Sequence, residues 1–140
     1  MKGKHILLPL ALLMLLLVGA GCKKSNPVVM TWDYLGRHYV ADSATASSGG
    51  ATRVVGYSGV TAVGISGGVE LLPGTYTLHG YNTGTQPFLF QIVSGNASVF
   101  SQSGTVVITG YDNNGLTGTF TATMTDLTTI SGTMTDIPFR

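Results

Sequence analysis

Charged residues are scarce in this chain, at 9% of its 140 positions, and they are divided between seven basic and six acidic groups. The sequence has no stripe of lysine or arginine that could neutralise a phosphate backbone, so nucleic acid is not expected as a partner. Side chains suited to acid–base chemistry or metal binding are also few, with three histidines and one cysteine. This scarcity predicts a protein that is not an enzyme and has no cofactor, no metal site and no catalytic residue.

The first 21 residues have the three parts of a secretory signal peptide. Lys2 and Lys4 supply the positive start, Ile6 to Val18 form an apolar run, and Gly19, Ala20 and Gly21 are small residues at its end. The apolar run is shorter than the roughly 20 residues that a membrane-spanning helix needs. We therefore expect residues 1–21 to be a signal-peptide helix that directs export.

The only cysteine, Cys22, comes directly after this segment. A single cysteine is unusual in a secreted protein unless its sulfur has a use. The stretch from Val18 to Cys22 resembles the lipobox of bacterial lipoproteins, with Gly19 at the position where those proteins usually have leucine. The resemblance implies that Cys22 carries lipid and holds the protein on a membrane. Residues 22–27 are then the lipidated cysteine and its tether, and residues 28–140 form one domain.

The mature region is rich in residues that favour strands and turns. The chain contains nineteen threonines, eleven serines and twenty glycines. Threonine is β-branched and suits the solvent face of a strand, while glycine supplies the positive φ angles of tight turns. No stretch of the mature region keeps a helical period, and alternation with a period of two recurs over about nine or ten short segments. The composition and the alternation together predict an all-β domain.

The alternation and the turn residues also predict where individual strands lie. In the last third, Phe120, Ala122 and Met124 share one face while threonines occupy the other, and the Asp112–Gly115 segment reads as a hairpin turn. The same reasoning predicts strands over 28–34, 51–57, 60–65, 75–81, 87–93, 116–124 and 129–137. It further predicts a short strand over 69–72, separate strands over 97–101 and 105–111, and a break at 66–68. Turns are expected at Leu35–Arg37 and at Asp126–Thr128.

Short connections between the expected strands leave no room for helical crossovers, so neighbouring strands should be antiparallel. Threonine on one face and apolar residues on the other mean that one face of the sheet is exposed to solvent and the other is packed in the core. The packed face must be buried by a second sheet or by closure of the sheet on itself. We therefore expect an antiparallel meander that forms a β-sandwich or a flattened β-barrel.

Three segments in this order resemble a family of small bacterial lipoproteins of unknown function. They are Thr31–Ala44 with its Trp32 and Gly36, the Leu72–Leu78 segment with Pro73-Gly74, and the ending from Gly104 through Leu116–Phe120 to Phe139. The resemblance covers most of residues 28–140 and implies a β-rich domain of the cell envelope. It implies no catalytic residue. Surface-directed relatives often have acidic residues after the cysteine, whereas Lys23 and Lys24 stand there in this chain.

The mature histidines, His38 and His79, would need a nearby acid to act in metal binding or proton transfer. Asp33, Asp42 and Glu70 are the candidates, and an exposed or edge-strand histidine is the simpler interpretation. The Asp112–Gly115 segment lacks the ligand pattern of a calcium loop. The Gly64–Gly68 segment comes close to the Gly-x-Ser-x-Gly motif that surrounds a nucleophilic serine in hydrolases, but we interpret it as a glycine-rich loop between strands.

Seven aromatic residues either line a ligand surface or pack in the core and across strands: Trp32, Tyr34, Tyr39, Tyr57, Tyr76, Tyr81 and Tyr111. The leading hypothesis for the function is a non-catalytic envelope domain, with a structural role or with a protein or glycan partner. Lipid at Cys22 would place it on the outer membrane, on either the periplasmic or the surface side. The alternative is a lipocalin-like carrier of a small apolar ligand. A partner-binding domain requires an exposed aromatic or apolar patch, and a carrier requires an apolar cavity.

Overall fold

The computed structural model describes Pro27 and residues 29–47, 49–81 and 88–140. These residues form β-strands joined by turns, without a helix, which confirms the all-β prediction. The signal peptide, Cys22, the tether up to Asn26 and the expected loop at 82–86 lie outside the described residues.

Ten strands are present in the described part of the chain. The first five are β1 (Val29–Tyr34), β2 (Arg37–Val40), β3 (Ser43–Ala46), β4 (Thr52–Ser58) and β5 (Thr61–Gly67). The other five are β6 (Gly74–His79), β7 (Phe88–Ser94), β8 (Ala97–Asp112), β9 (Gly115–Met124) and β10 (Thr129–Ile137). The bounds of β10 agree with the predicted strand at both ends.

All ten strands belong to one sheet, which is curled into a half-barrel and has the order β2-β1-β10-β9-β8-β6-β7-β5-β4-β3. Its two edge strands, β2 and β3, follow each other in the chain and are joined by Ala41 and Asp42. The Ala41 N–H donates to the Met30 carbonyl in β1, and the Asp42 N–H donates to the Tyr57 carbonyl in β4. The edges of the sheet are therefore brought together by a two-residue link.

The last residues of the chain also contact the β3 edge. The Ala46 N–H donates to the Pro138 carbonyl at 2.8 Å, and the Arg140 N–H donates to the Ala46 carbonyl at 2.8 Å. An unpaired strand edge exposes backbone groups that could pair with another chain. The contact with residues 138–140 covers part of that edge.

The curl of the sheet depends on the long strand β8, which is bent. Its first part pairs with one neighbouring strand and its later part with another. Ala97–Phe100 pairs with β7, and Ser103–Ile108 pairs with β6, while irregularities interrupt the β8–β9 register near Ser101 and near Thr109. Bulges of this kind bend a strand and increase its twist. The prediction of two separate strands here is therefore wrong, because bulges replace the expected break.

The predicted meander is wrong at β6. This strand lies between β8 and β7, so β5 pairs with β7 instead of with its successor in the chain. The β6–β7 contact is parallel and is limited to Leu78 and Phe88, whereas the other strand pairs are antiparallel. The result is a mixed sheet and not a purely antiparallel one.

Two local predictions also differ from the structure. Residues 69–72 form an irregular segment whose Leu71 is fully buried and donates its N–H to the Thr52 hydroxyl at 2.9 Å. Residues 64–67 belong to β5, so the expected glycine-rich loop and the break at Ser66 are wrong. At 64–67, pairing with both β4 and β7 outweighs the local turn signals, and at 69–72 a buried leucine in an irregular segment gives the apolar pattern of a strand.

The inward faces of the strands meet in one core. Phe120, Ala122 and Met124 are buried and the intervening threonines of β9 point outward, as predicted. Across the sheet, Trp32 of β1, Gly132 of β10 and Phe120 of β9 lie in one row. The Phe120 ring contacts Phe90 of β7 with centroids 5.0 Å apart. This contact joins the two halves of the curled sheet.

Candidate functional site

The structure places His38, exposed on the edge strand β2, beside one of the three acids considered as its partner. His38 of β2 lies opposite Asp33 of β1, and its Nδ1 is 2.8 Å from the Asp33 Oδ1. Both side chains are more than half exposed, and an ion pair in such a position contributes little to stability. The described residues contain no group of three or more His, Cys, Asp or Glu side chains that could hold a metal ion.

Every acidic side chain in the chain has a structural partner. Asp42 accepts from the Gly59 N–H, Glu70 from the Tyr111 hydroxyl, and Asp112 from the Asn114 N–H. Asp126 accepts from Thr128, and Asp136 from the Thr117 hydroxyl. With Asp33 paired to His38, these groups hold turns, bulges and edges in place, and no three of them come together among the described residues.

The contact between Glu70 and Tyr111 joins the irregular segment at residues 69–72 to the C-terminal part of β8. The hydrogen bond to the Glu70 carboxylate, and to a smaller extent desolvation, raises the pKa of the Tyr111 hydroxyl. The Tyr111 ring also packs on Phe139 with centroids 4.7 Å apart. The Glu70 carboxylate therefore has a structural role. His79 is half-buried at the end of β6, and its backbone carbonyl accepts a hydrogen bond from the Ser101 hydroxyl.

Most of the seven aromatic residues have a structural role. Trp32 and Tyr34 are buried, and Trp32 stacks on Tyr39 with centroids 5.4 Å apart. Tyr76 meets Phe88 edge to face. Tyr57 and Tyr81 are the exposed members, at 48% and 65%. Because Tyr81 packs on Phe100 with centroids 4.8 Å apart, the hypothesis of an aromatic ligand surface applies best to Tyr57.

An open groove lies at one end of the sheet, between the β1–β2 turn and the β9–β10 turn. It has a volume of about 590 Å³, and we name it the tip groove. Leu35 and Leu127 line it from the two turns, and Asp33, Thr123 and Ser131 are among its polar lining residues. Leu35 is 66% exposed and Leu127 is 76% exposed, so two large apolar side chains face solvent beside one groove.

Both leucines have backbone conformations that are unfavourable for their residue type. The two-residue β1–β2 turn has φ of 51° at Leu35 and 72° at Gly36, the pattern of a type I′ hairpin that prefers Asn-Gly. Leu127 has φ of 66° and occupies the position of a three-residue loop where glycine is usual. The left-handed conformation costs a leucine about 1 kcal/mol. The chain thus keeps leucine twice where glycine or asparagine would be more stable.

A fixed negative charge lies next to the tip groove. Hydrogen bonds from the Thr128 hydroxyl and backbone N–H, with a smaller contribution from Tyr34, hold the pKa of the Asp126 carboxyl below its ordinary value. Asp33 lines the groove, and Asp126 directly precedes the lining residue Leu127, so the apolar rim has an acidic border. Sequence reasoning placed both leucines in turns but missed them as functional candidates. The signal that was available was leucine at turn positions that favour glycine or asparagine.

Comparison of the chain with models of protein families, with curated proteins and with solved structures found no match. In the described part of the chain, no helix has the length and apolar character needed to cross a membrane.

Proposed function

We infer that this protein is a bacterial envelope lipoprotein whose β domain binds a partner protein without catalysis. In this proposal a signal-peptide helix over residues 1–21 directs export, and lipid on Cys22 anchors the chain to a membrane, with the outer membrane as the favoured site. The three-part segment before the lone cysteine and the resemblance to small lipoproteins support the anchoring. The tip groove supports the binding.

The observation that carries the binding proposal is the pair of strained, exposed leucines beside the tip groove. Unfavourable backbone conformations persist where the surroundings impose them, and they concentrate at binding sites. Here each strained residue is also a large apolar side chain in solvent, at Leu35 and at Leu127. Contiguous exposed apolar surface with a polar border is typical of protein interaction sites.

The position and charge of the groove favour a protein over a lipid surface. The tether reaches β1 at Val29, and the tip groove lies beyond the other end of β1, after Tyr34. The acidic border at Asp33 and Asp126 would be repelled by anionic head groups and attracted by basic side chains. The expected occupant is therefore an apolar segment of another protein that carries basic residues beside it.

The lipocalin-like carrier stays an alternative without a supporting observation. A carrier needs an apolar cavity of a few hundred Å³, roughly 300–1,000 Å³ for a drug-sized ligand. In the described core, Trp32, Phe90 and Phe120 are fully buried and occupy the space between the two halves of the sheet.

Replacing Cys22 with serine tests the anchoring. Because serine has no sulfur to acylate, Cys22→Ser should lose labelling by radioactive palmitate and should move from the membrane fraction to the soluble envelope fraction. Ser25→Ala, in the same tether, is the matched control and should stay labelled and membrane-bound. Retention of label or of membrane association by Cys22→Ser would contradict the proposal.

Replacing Leu35 with asparagine should change stability and binding in opposite directions. Asparagine tolerates the left-handed conformation, so Leu35→Asn should raise the free energy of unfolding by about 1 kcal/mol. The same change removes an apolar contact from the tip groove and should weaken partner binding. Urea unfolding of the mature protein in detergent measures the stability.

Binding is measured in the native host with a photo-crosslinking side chain at position 127. A crosslink to one protein should form there, should disappear when Leu35→Asn is added to the same chain, and should be absent from position 119. Thr119 is the control because it is exposed on the outer face of β9 and does not line the groove. A crosslink to lipid alone, or one that ignores Leu35→Asn, would overturn the proposal.

A further inference from the structure

A second recess lies on the outer face of β4, β5 and β7, away from the tip groove. Gly64 of β5 is at its centre, with Val55 of β4 on one side and Gln91 of β7 on the other. The recess has a volume of about 240 Å³ and is also lined by Arg53, Tyr57 and Ser66. We name it the Tyr57 notch.

The floor of the Tyr57 notch is apolar and is deepened by the missing side chain of Gly64. A Cβ atom built on Gly64 would meet only the Val54 carbonyl oxygen, at 3.8 Å, so the space above this glycine is open. The half-exposed Tyr57 ring stands beside it, next to Ala62 in the register. An aromatic ring beside a shallow apolar floor can pack against the apolar face of a flat ring-shaped ligand.

Polar groups at the border of the notch are available to a ligand. The Gln91 Nε2 donates to the Ser98 hydroxyl at 2.6 Å, which fixes the amide while the described residues supply no donor to its Oε1. The exposed Ser66 adds a hydroxyl on the neighbouring strand. Hydroxyl-bearing ligands pair with such groups through several hydrogen bonds at once.

Positive charge is concentrated around Tyr57 although the domain is acidic. The described residues contain three arginines against six acidic side chains. Arg53 lines the notch, and Arg53 and Arg140 together line a neighbouring recess of about 200 Å³ that Tyr57 also lines. Within the described residues neither guanidinium has a carboxylate partner. Two of the three arginines thus line recesses that the exposed Tyr57 also lines, and neither is paired with a carboxylate side chain of the described residues.

We propose that the Tyr57 notch binds an acidic saccharide, meaning a sugar that carries a carboxylate. The apolar face of the sugar ring lies on Tyr57 and on the floor over Gly64, and its carboxylate is bound by Arg53 through paired hydrogen bonds. Gln91 and Ser66 bind the sugar hydroxyls. A small inorganic anion would use the arginine alone and would leave the aromatic and apolar surfaces unused. This site is separate from the tip groove and does not depend on the protein partner proposed there.

Titration of the full mature protein in detergent with tetragalacturonic acid tests this proposal. Calorimetry should detect binding of the acid, while the methyl ester of the same tetrasaccharide should bind about tenfold more weakly or worse, because it lacks the charge that strengthens hydrogen bonds to Arg53. Arg53→Gln should give a similar loss. Binding should weaken with added salt, since exposed charges are screened.

A steric variant separates the notch from general surface charge. Gly64→Val fills the open space, and its Cβ meets no atom closer than ordinary contact, so the fold should be retained and binding lost. Gly68→Val is the matched control, because a Cβ on Gly68 meets nothing within 4 Å and Gly68 does not line the notch. It should bind as the unchanged protein does.

Four outcomes would overturn the proposal. They are no binding of tetragalacturonic acid at millimolar concentration, equal binding of the acid and its ester, unchanged binding by Gly64→Val, and full competition by inorganic phosphate at equal concentration. The last result would identify a simple anion site instead of a saccharide site.

Discussion

Replacing Gly132 with alanine should lower the free energy of unfolding by about 3 kcal/mol, because the core has no space for one more methyl group. A Cβ on Gly132 would lie 2.3 Å from the Thr31 carbonyl oxygen and 2.3 Å from the Phe120 ring. The carbonyl belongs to the paired strand β1 and cannot withdraw without breaking the ladder. The ring is fixed between Gly132 and Phe90. Both neighbours are therefore unable to make room.

Urea unfolding of the mature protein, followed by fluorescence of the single tryptophan, measures this effect. Trp32 lies beside Gly132 in the same row and reports directly on the packing. Gly64→Ala is the matched control, since its added Cβ meets only one atom, at 3.8 Å. It should leave stability unchanged or raise it by up to about 1 kcal/mol by restricting the unfolded chain. Equal effects of the two substitutions would contradict the packing argument.

The sequence was sufficient to predict strands whose alternation is regular and whose turns have strong residue signals. β9 and β10 have apolar side chains on one face and threonine on the other, and a turn at Asp126–Thr128 separates them. The alternation of side chains and the turn residues therefore indicate the same hairpin. The Asp112–Gly115 turn was predicted for the same reason, and its Asp112 carboxylate accepts from the Asn114 N–H. Local rules are reliable where each residue of a segment supports the same state.

Strand pairing could not be predicted from the same signals. β6 and β7 both alternate, and alternation tells which side chains face inward without telling which strand lies next to which. The insertion of β6 between β8 and β7 rests on pairing between segments about 30 residues apart in the chain, such as Thr75 with Val107. The buried Leu71 also produced the apparent strand at 69–72.

For the candidate sites, too, the local residues were predictable and the strand pairing that brings them together was not. Leu35 and Leu127 were visible in the sequence as turn residues, but their common groove depends on the pairing of β1 with β10. The Tyr57 notch needs three strands in register, since Val55, Gly64 and Gln91 come from β4, β5 and β7. Because pairing was not predictable, neither site could be assembled from the sequence alone.

Replacing Ser101 with alanine should lower the free energy of unfolding by about 2–3 kcal/mol, although it removes only one oxygen atom. The Ser101 hydroxyl is fully buried at the bend of β8. It accepts from the Phe90 N–H of β7 at 3.0 Å and donates to the His79 carbonyl of β6 at 3.0 Å. It therefore links the two strands at the place where their direct pairing is limited to one residue pair. Alanine would leave the buried Phe90 N–H without this acceptor and the partly buried His79 carbonyl without this donor.

Hydrogen exchange locates this effect as well as measuring its size. In Ser101→Ala the amides of Phe90 and of the β6–β7 junction should exchange faster, while those of the β9–β10 hairpin should lose only the global difference in stability. Ser103→Ala is the control, because Ser103 lies two residues further along β8 and is exposed. Ser101→Thr keeps the hydroxyl and should retain the exchange protection of Phe90 even if its methyl group lowers overall stability. Faster exchange spread evenly over the sheet would show that Ser101 fills space without joining β6 to β7.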